Sequence, residues 1–179
     1  MNHLPNILSL SRIAAIPFLA ALALWNAPAA GWLAAVLFAA AAATDFLDGW
    51  VARRHKTSSD FGRLIDPIAD KLLVIAALVL LLAAGRAPVI AALVIVLREV
   101  LVAGLREHLA GLGRRLPVTR LAKWKTAAQM TAIVLLLCAW PPVAVYGEAL
   151  LWLAAVLTCL TGWGYLRHGL AEVAADRAD

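Results

Sequence analysis

Residues 43–71 read ATDFLDGWVARRHKTSSDFGRLIDPIADK. Apolar sequence flanks them on both sides, GWLAAVLFAAAAA at 31–43 and LLVIAALVLLLAAG at 72–85. Asp45, Asp48, Asp66 and Asp70 therefore stand at the inner margins of two greasy runs, joined by the short polar link RHKTSSDFG. Asp45 and Asp48 are three positions apart and Asp66 and Asp70 four, so each pair shares one face of a helix. Helices joined by so short a link are antiparallel neighbours. The four carboxylates can then face one another across a single hairpin.

The rest of the chain says what solvent this hairpin meets. Of 179 residues, 64% are apolar and 15% charged, with a formal net charge of +5. The mean hydropathy is +0.86. Soluble domains sit nearer half apolar, and runs of about 20 apolar residues belong in lipid. In a membrane protein a basic excess speaks to orientation and anionic headgroups. No nucleic-acid-binding signature accompanies it. Cys138 and Cys159 lie inside apolar runs and read as small buried hydrophobes, with neither a disulfide nor a metal site implied.

Six apolar segments can be drawn, each near the length a spanning helix needs: 6–25, 31–53, 63–84, 88–108, 120–140 and 147–167. Between them NAPAAG, AGRAP and PPVAVYG read as Pro- and Gly-rich turns. The first segment, with Arg12 set against IAAIPFLAALALW, reads as a retained span and not a cleaved leader. The expectation is one all-α membrane domain over residues 1–179, a polytopic bundle of six transmembrane helices. The links near 53–63 and 106–125 hold ten of the sixteen lysines and arginines, whereas the opposite turns hold only Arg86. The positive-inside rule then puts both termini and both long links in the cytoplasm. Trp25, Trp32 and Trp140 fall toward the other face, as interface anchors.

Four carboxylates at close quarters cannot all ionise without a counter-charge, least of all at a membrane boundary. Arg53 and Lys71 offset part of the charge. A divalent cation offsets more, and an all-carboxylate donor set suits magnesium, manganese or calcium better than zinc. Ordinary solvated helix-end charges are the bland alternative for any one of these acids, but not for four at helical spacing on both arms of a hairpin. An ion-conducting bundle would also place acids in spans, yet no matching acids occur in segments one, five or six. Gly49, Ala52 and Gly62 are small, and let a ligand or a neighbouring helix approach the backbone.

Read together, Asp45, Asp48, Gly49, Ala52, Arg53, Gly62, Asp66 and Asp70 spell D-x-x-D-G-x-x-A-R-x8-G-x-x-x-D-x-x-x-D. This resembles, at every position, the signature of the CDP-alcohol phosphatidyltransferases. The resemblance implies a six-helix membrane enzyme, usually a homodimer, that transfers a phosphatidyl group from a CDP-linked lipid to an alcohol and releases CMP. It further implies that Asp45, Asp48, Asp66 and Asp70 ligate a pair of divalent ions, Mg2+ or Mn2+. Asp70 would double as catalytic base, and Asp48, Gly49, Arg53 and Gly62 would bind the nucleotide.

LPNILSLSRIAAIP at 4–17 and REVLVAGLREHLAGLGRRLPVTRLAKWKTAAQM at 98–130 resemble the branch of the family that uses sn-glycerol 3-phosphate as acceptor and CDP-diacylglycerol as donor. Serine, inositol phosphate and phosphatidylglycerol are the acceptors of neighbouring branches. An anionic acceptor needs cations beside the acids. Arg106, Arg120, Lys123 and Lys125 are the candidates for its phosphate, although orientation bias alone would fill such a link with bases. Arg98 and Glu99 read as a structural pair, and His55 and His108 as interface residues. The last segment contributes only apolar character. The expected location is a bacterial inner membrane, multi-pass, with the site facing the cytoplasm.

Overall fold

The computed structural model describes residues 4–25, 27–55, 60–114 and 119–176. Within these, the side chains of 4–9, 28, 45–55, 60–67 and 170–176 lie outside the described set. All regular structure among the described residues is helical. Six helices follow in order: α1 Leu4–Leu24, α2 Pro28–His55, α3 Asp60–Ala83, α4 Val89–Gly111, α5 Arg120–Leu137 and α6 Pro141–Asp176.

The largest departure from the sequence reading concerns the last connection. PPVAVYG is not a turn but the first two turns of α6, which runs for 36 residues, while α5 stops at Leu137. Proline is at home in a first helical turn, where its missing N–H would have no partner anyway. Pro28 opens α2 in the same way. The reversal from α5 to α6 is left to Cys138, Ala139 and Trp140. Ala139 takes a left-handed φ of 56° there, where glycine is usual.

The helices pack as two groups of three. α1 lies against α2 and α3, and α6 lies against α4 and α5; α2 with α5 and α3 with α4 and α5 join the groups. Glycines fix the register where backbones come close. A Cβ at Gly31 would stand 2.8 Å from the carbonyl oxygens of Leu137 and Cys138, so the start of α2 sits against the end of α5. Trp32 and Trp140 meet beside this contact with ring centroids 6.0 Å apart, at the end expected for them. Gly162 of α6 receives Arg98 of α4, and Gly169 receives Leu105. Both pairs are offset by 64 positions (162 less 98, 169 less 105), so α4 and α6 run parallel.

One core fills the middle of the bundle, with Leu19, Phe38, Leu73, Leu78, Ile95, Ile133 and Leu151 among its buried members. A second, smaller cluster joins Val102, Leu109 and Tyr165. Large apolar side chains cover the outside as well, and among the described residues two bases are buried. Arg12 is 0% exposed and Lys125 2%, whereas Phe18 and Ile90 are each 65% exposed, with Val36, Val79, Leu97, Val100 and Val156 also on the outside. Pro141–Gly169 is long and apolar enough to cross a membrane, and only 28% of its apolar window is buried, too little for the core helix of a soluble protein. Leu10–Leu24 and Ala29–Thr44 are shorter apolar stretches. Cys138 is buried as expected, but Cys159 is exposed on the outer face of α6; both are free thiols.

Candidate active site

The motif residues lie in the last turns of α2 and the first turns of α3. Both helices are continuous through them, so the three- and four-residue spacings are realised as helical spacings. The side chains of Asp45, Asp48, Gly49, Arg53, Gly62 and Asp66 lie outside the described residues. Asp70 is described and is half-buried. No cluster of three or more metal-binding side chains occurs among the described residues. The donors the motif supplies are all carboxylates, and that chemistry fits a hard divalent cation.

Asp70 does not stand alone. It lies within electrostatic reach of Lys125, at the start of α5, and Lys71 lies within reach of Glu99 on α4. Lys125 is buried and donates its ammonium to Glu99 Oε1. Arg98 Nη1 reaches the same carboxylate oxygen at 3.3 Å. Its Nη2 meets Thr161 Oγ1 at 3.3 Å, and its guanidinium carbon sits 5.3 Å from the centroid of the Tyr165 ring. Arg98–Glu99 is thus a structural pair, as the sequence suggested, with Lys125 as an unforeseen third member. This polar seam joins α4, α5 and α6 and abuts the acid-bearing helix. Arg98 Nε, Gln129 Oε1 and Thr158 Oγ1 are buried along it with no hydrogen-bond partner among the described residues.

The four candidate acceptor bases separate. Arg106, Arg120 and Lys123 are exposed, whereas Lys125 points inward to Glu99. Helix geometry explains the split on α5: residues 120 and 123 share a face, and residue 125 stands roughly 140° away from residue 120. His108 is exposed in the last turn of α4.

Sequence reasoning passed over two groups. Arg12 is fully buried, in line with Ala15 and Leu19 on the face that α1 turns to α2 and α3. Its signal was a lone cation inside an apolar run. The last segment is not merely apolar: Thr158, Thr161 and Tyr165 are buried polar groups, and they line the seam. Tyrosine is rare in this chain, and a buried phenol wants a partner.

Other hollows carry no such chemistry. A cavity of about 300 Å³ at the far end is lined by Leu22, Gly31, Leu81 and Arg86. A groove of about 770 Å³ runs along the outer faces of α1 and α2, lined by Phe18, Leu22, Leu33, Val36, Leu37 and Ala40.

Acids on two consecutive helices, with a basic seam beside the second, are what the chain places at this end of the bundle. Residues 2–160 match the family described as CDP-alcohol phosphatidyltransferase, and the chain belongs to that family. Among its relatives, a protein of Rickettsia bellii is 44% identical over 171 residues, covering 93% of this chain and 94% of its own. One from Pseudomonas fluorescens is 40% identical over 183 residues (97% and 93%). One from Bacillus subtilis is 38% identical over 181 residues (92% and 94%). All three are named CDP-diacylglycerol–glycerol-3-phosphate 3-phosphatidyltransferase.

Proposed function

We propose that this protein transfers the phosphatidyl group of CDP-diacylglycerol to the primary hydroxyl of sn-glycerol 3-phosphate, giving phosphatidylglycerophosphate and CMP. The observation that carries this reading is the complete motif on α2 and α3 with Asp70 set beside the Lys125–Glu99–Arg98 seam. Donor and acceptor are both anions, so their approach costs Coulomb energy that cations at the site must offset.

Asp45, Asp48, Asp66 and Asp70 would hold a pair of Mg2+ or Mn2+ ions. These, when bound, neutralise charge on the diphosphate and on the departing CMP. Arg53, Gly49 and Gly62 receive the cytidine nucleotide, the glycines by letting it approach the backbone. Asp70 accepts the proton of the acceptor's primary hydroxyl as that oxygen attacks the lipid-side phosphorus. A carboxylate so placed is a weak base, and holding the two anions in line contributes much of the rate. No serine or cysteine occupies a fixed motif position, which favours direct attack. Arg106, Arg120 and Lys123 present charge toward the acceptor phosphate. Lys125, clasped by Glu99, sets the field between that phosphate and Asp70.

The apolar outer surface of the bundle and its membrane-length last helix support a single membrane domain, here read as six spans. Basic residues at the acidic end support cytoplasmic termini and a cytoplasmic site in a bacterial inner membrane. Such a boundary site grips a nucleotide in water and acyl chains in lipid together. The groove on α1 and α2 ends at Ala40, five residues or about 7.5 Å along the helix from Asp45, and suits one of those chains. The family resemblance supports a homodimer.

The test is CMP release by the purified protein, in detergent with CDP-diacylglycerol and Mg2+ or Mn2+, offered glycerol 3-phosphate, serine, inositol phosphate or phosphatidylglycerol. Glycerol 3-phosphate should be the acceptor that counts. Turnover with another alcohol alone would retain the chemistry and overturn the choice of acceptor. Ion flux across sealed liposomes without CMP release would overturn both.

A further inference from the structure

We propose that Tyr165, on the last helix, is a positioning residue for the acceptor: it anchors the start of α5, and thereby the bases that receive the acceptor's phosphate. This rests on the acceptor reading given above and goes beyond it, because it places a determinant of acceptor affinity on a helix that bears none of the motif.

The phenolic oxygen of Tyr165 accepts the backbone N–H of Thr119 at 3.3 Å. Thr119 is the N-cap of α5, and its own hydroxyl accepts the N–H of Ala122 at 3.2 Å. The residue that α6 holds is therefore the one that sets the direction of the first helical turn. Arg120 is its immediate neighbour and Lys123 lies one turn on. Both are exposed and carry no packing that would fix them from outside.

A second grip acts on the same two turns. Glu99 on α4 holds Lys125. Arg98 joins the grips, with one arm on Glu99 and its guanidinium carbon 5.3 Å from the centroid of the Tyr165 ring, which helps keep the phenol aimed at Thr119. Gly162 makes room for this arrangement, since a Cβ there would stand 3.1 Å from Arg98 Cγ. Tyr165 is itself only 5% exposed, so its ring has little freedom to swing away. The start of α5 is thus held from α6 at residue 119 and from α4 at residue 125. Between the two holds lie the two outward bases. A phosphate bound by such bases needs donors placed within a few tenths of an ångström, and a slackened anchor costs affinity for that ligand alone.

The experiment compares steady-state CMP release by the full chain and by Tyr165→Phe, varying each substrate in turn. Losing one hydrogen bond should raise KM for glycerol 3-phosphate by about 3- to 10-fold. KM for CDP-diacylglycerol and the detergent melting temperature should stay close to the parent's. Arg98→Lys, which keeps the charge and loses the planar stack, should shift KM in the same direction. The same comparison in an Arg120→Ala/Lys123→Ala background completes a cycle. If Tyr165 acts through those bases, its substitution adds nothing there. Should the double variant leave KM for glycerol 3-phosphate unchanged, the acceptor reading of the bases falls and the inference with it. Should the double variant raise KM while Tyr165→Phe does not, or while its effect persists undiminished in that background, the inference alone is overturned. Equal losses for both substrates would mark Tyr165 as a structural group only.

Discussion

The α1–α3 half and the α4–α6 half of the bundle handle buried charge in opposite ways. In the first, the motif acids sit on α2 and α3, and the buried base among the described residues is Arg12 on the face of α1 turned to them. In the second, Lys125, Arg98 and Glu99 form a closed set of cations and anion, with a tyrosine and a threonine to finish it. A set that satisfies most of its own charges is a scaffold. On the proposed function, chemistry falls to the first half and alignment to the second, and Asp70 and Lys125 lie within electrostatic reach of each other where the halves meet.

This division can be broken most directly at Asp70. Asp70→Asn should reduce turnover by at least about 1,000-fold with the helical content and melting behaviour retained. Near-parental CMP release from that variant would place the chemistry elsewhere. Chelation with EDTA should likewise silence the enzyme, with recovery on adding Mg2+ or Mn2+ and not on adding monovalent salt.

The scaffold half should respond in stability first. Glu99→Gln leaves the Lys125 ammonium buried without its anion, at a cost of about 3–5 kcal/mol in unfolding free energy. Pairing it with Lys125→Met should restore most of that stability, since an apolar pair of similar volume replaces buried ions at little loss. Thermal or denaturant unfolding in detergent reads both. A double variant as unstable as the single would show that the seam depends on more than its charges.

Smaller effects sharpen the contrast at the glycines. Gly31→Ala drives a methyl into two carbonyl oxygens at 2.8 Å, and backbone cannot step aside; about 2 kcal/mol of destabilisation is expected. Gly162→Ala meets only the flexible stem of Arg98 at 3.1 Å and should cost less than about 1 kcal/mol. A reversed order, measured by the same unfolding assay, would mean that the two halves are not clamped where Gly31 meets α5.

Much of this organisation was legible in residues alone. The motif acids announce their helices because spacings of three and four carry meaning on a helix and nowhere else. The Arg98–Glu99 contact was legible too, being adjacent in sequence. Lys125 was not, since its partner lies 26 positions away and only helix packing brings the two together. The same holds for Tyr165 and Thr119, 46 positions apart. The Pro-Pro pair was misread as punctuation because proline ends helices and begins them with equal ease, and only the residue order before it tells which. Arg12 illustrates a further limit: a lone base in an apolar run states that a partner exists but not where.

The paired sockets of α6 have a mechanical consequence. Gly162 and Gly169 are seven residues apart, as are the knobs they receive, Arg98 and Leu105. Two contacts about 10.5 Å apart along the axis make a keyed joint, in which the two helices cannot slide by a single turn without emptying both sockets. A force along their axes therefore moves the two helices as one strut instead of shearing them past each other. The height of the basic seam relative to α4 is therefore held fixed, and any relative sliding falls to the other four helices.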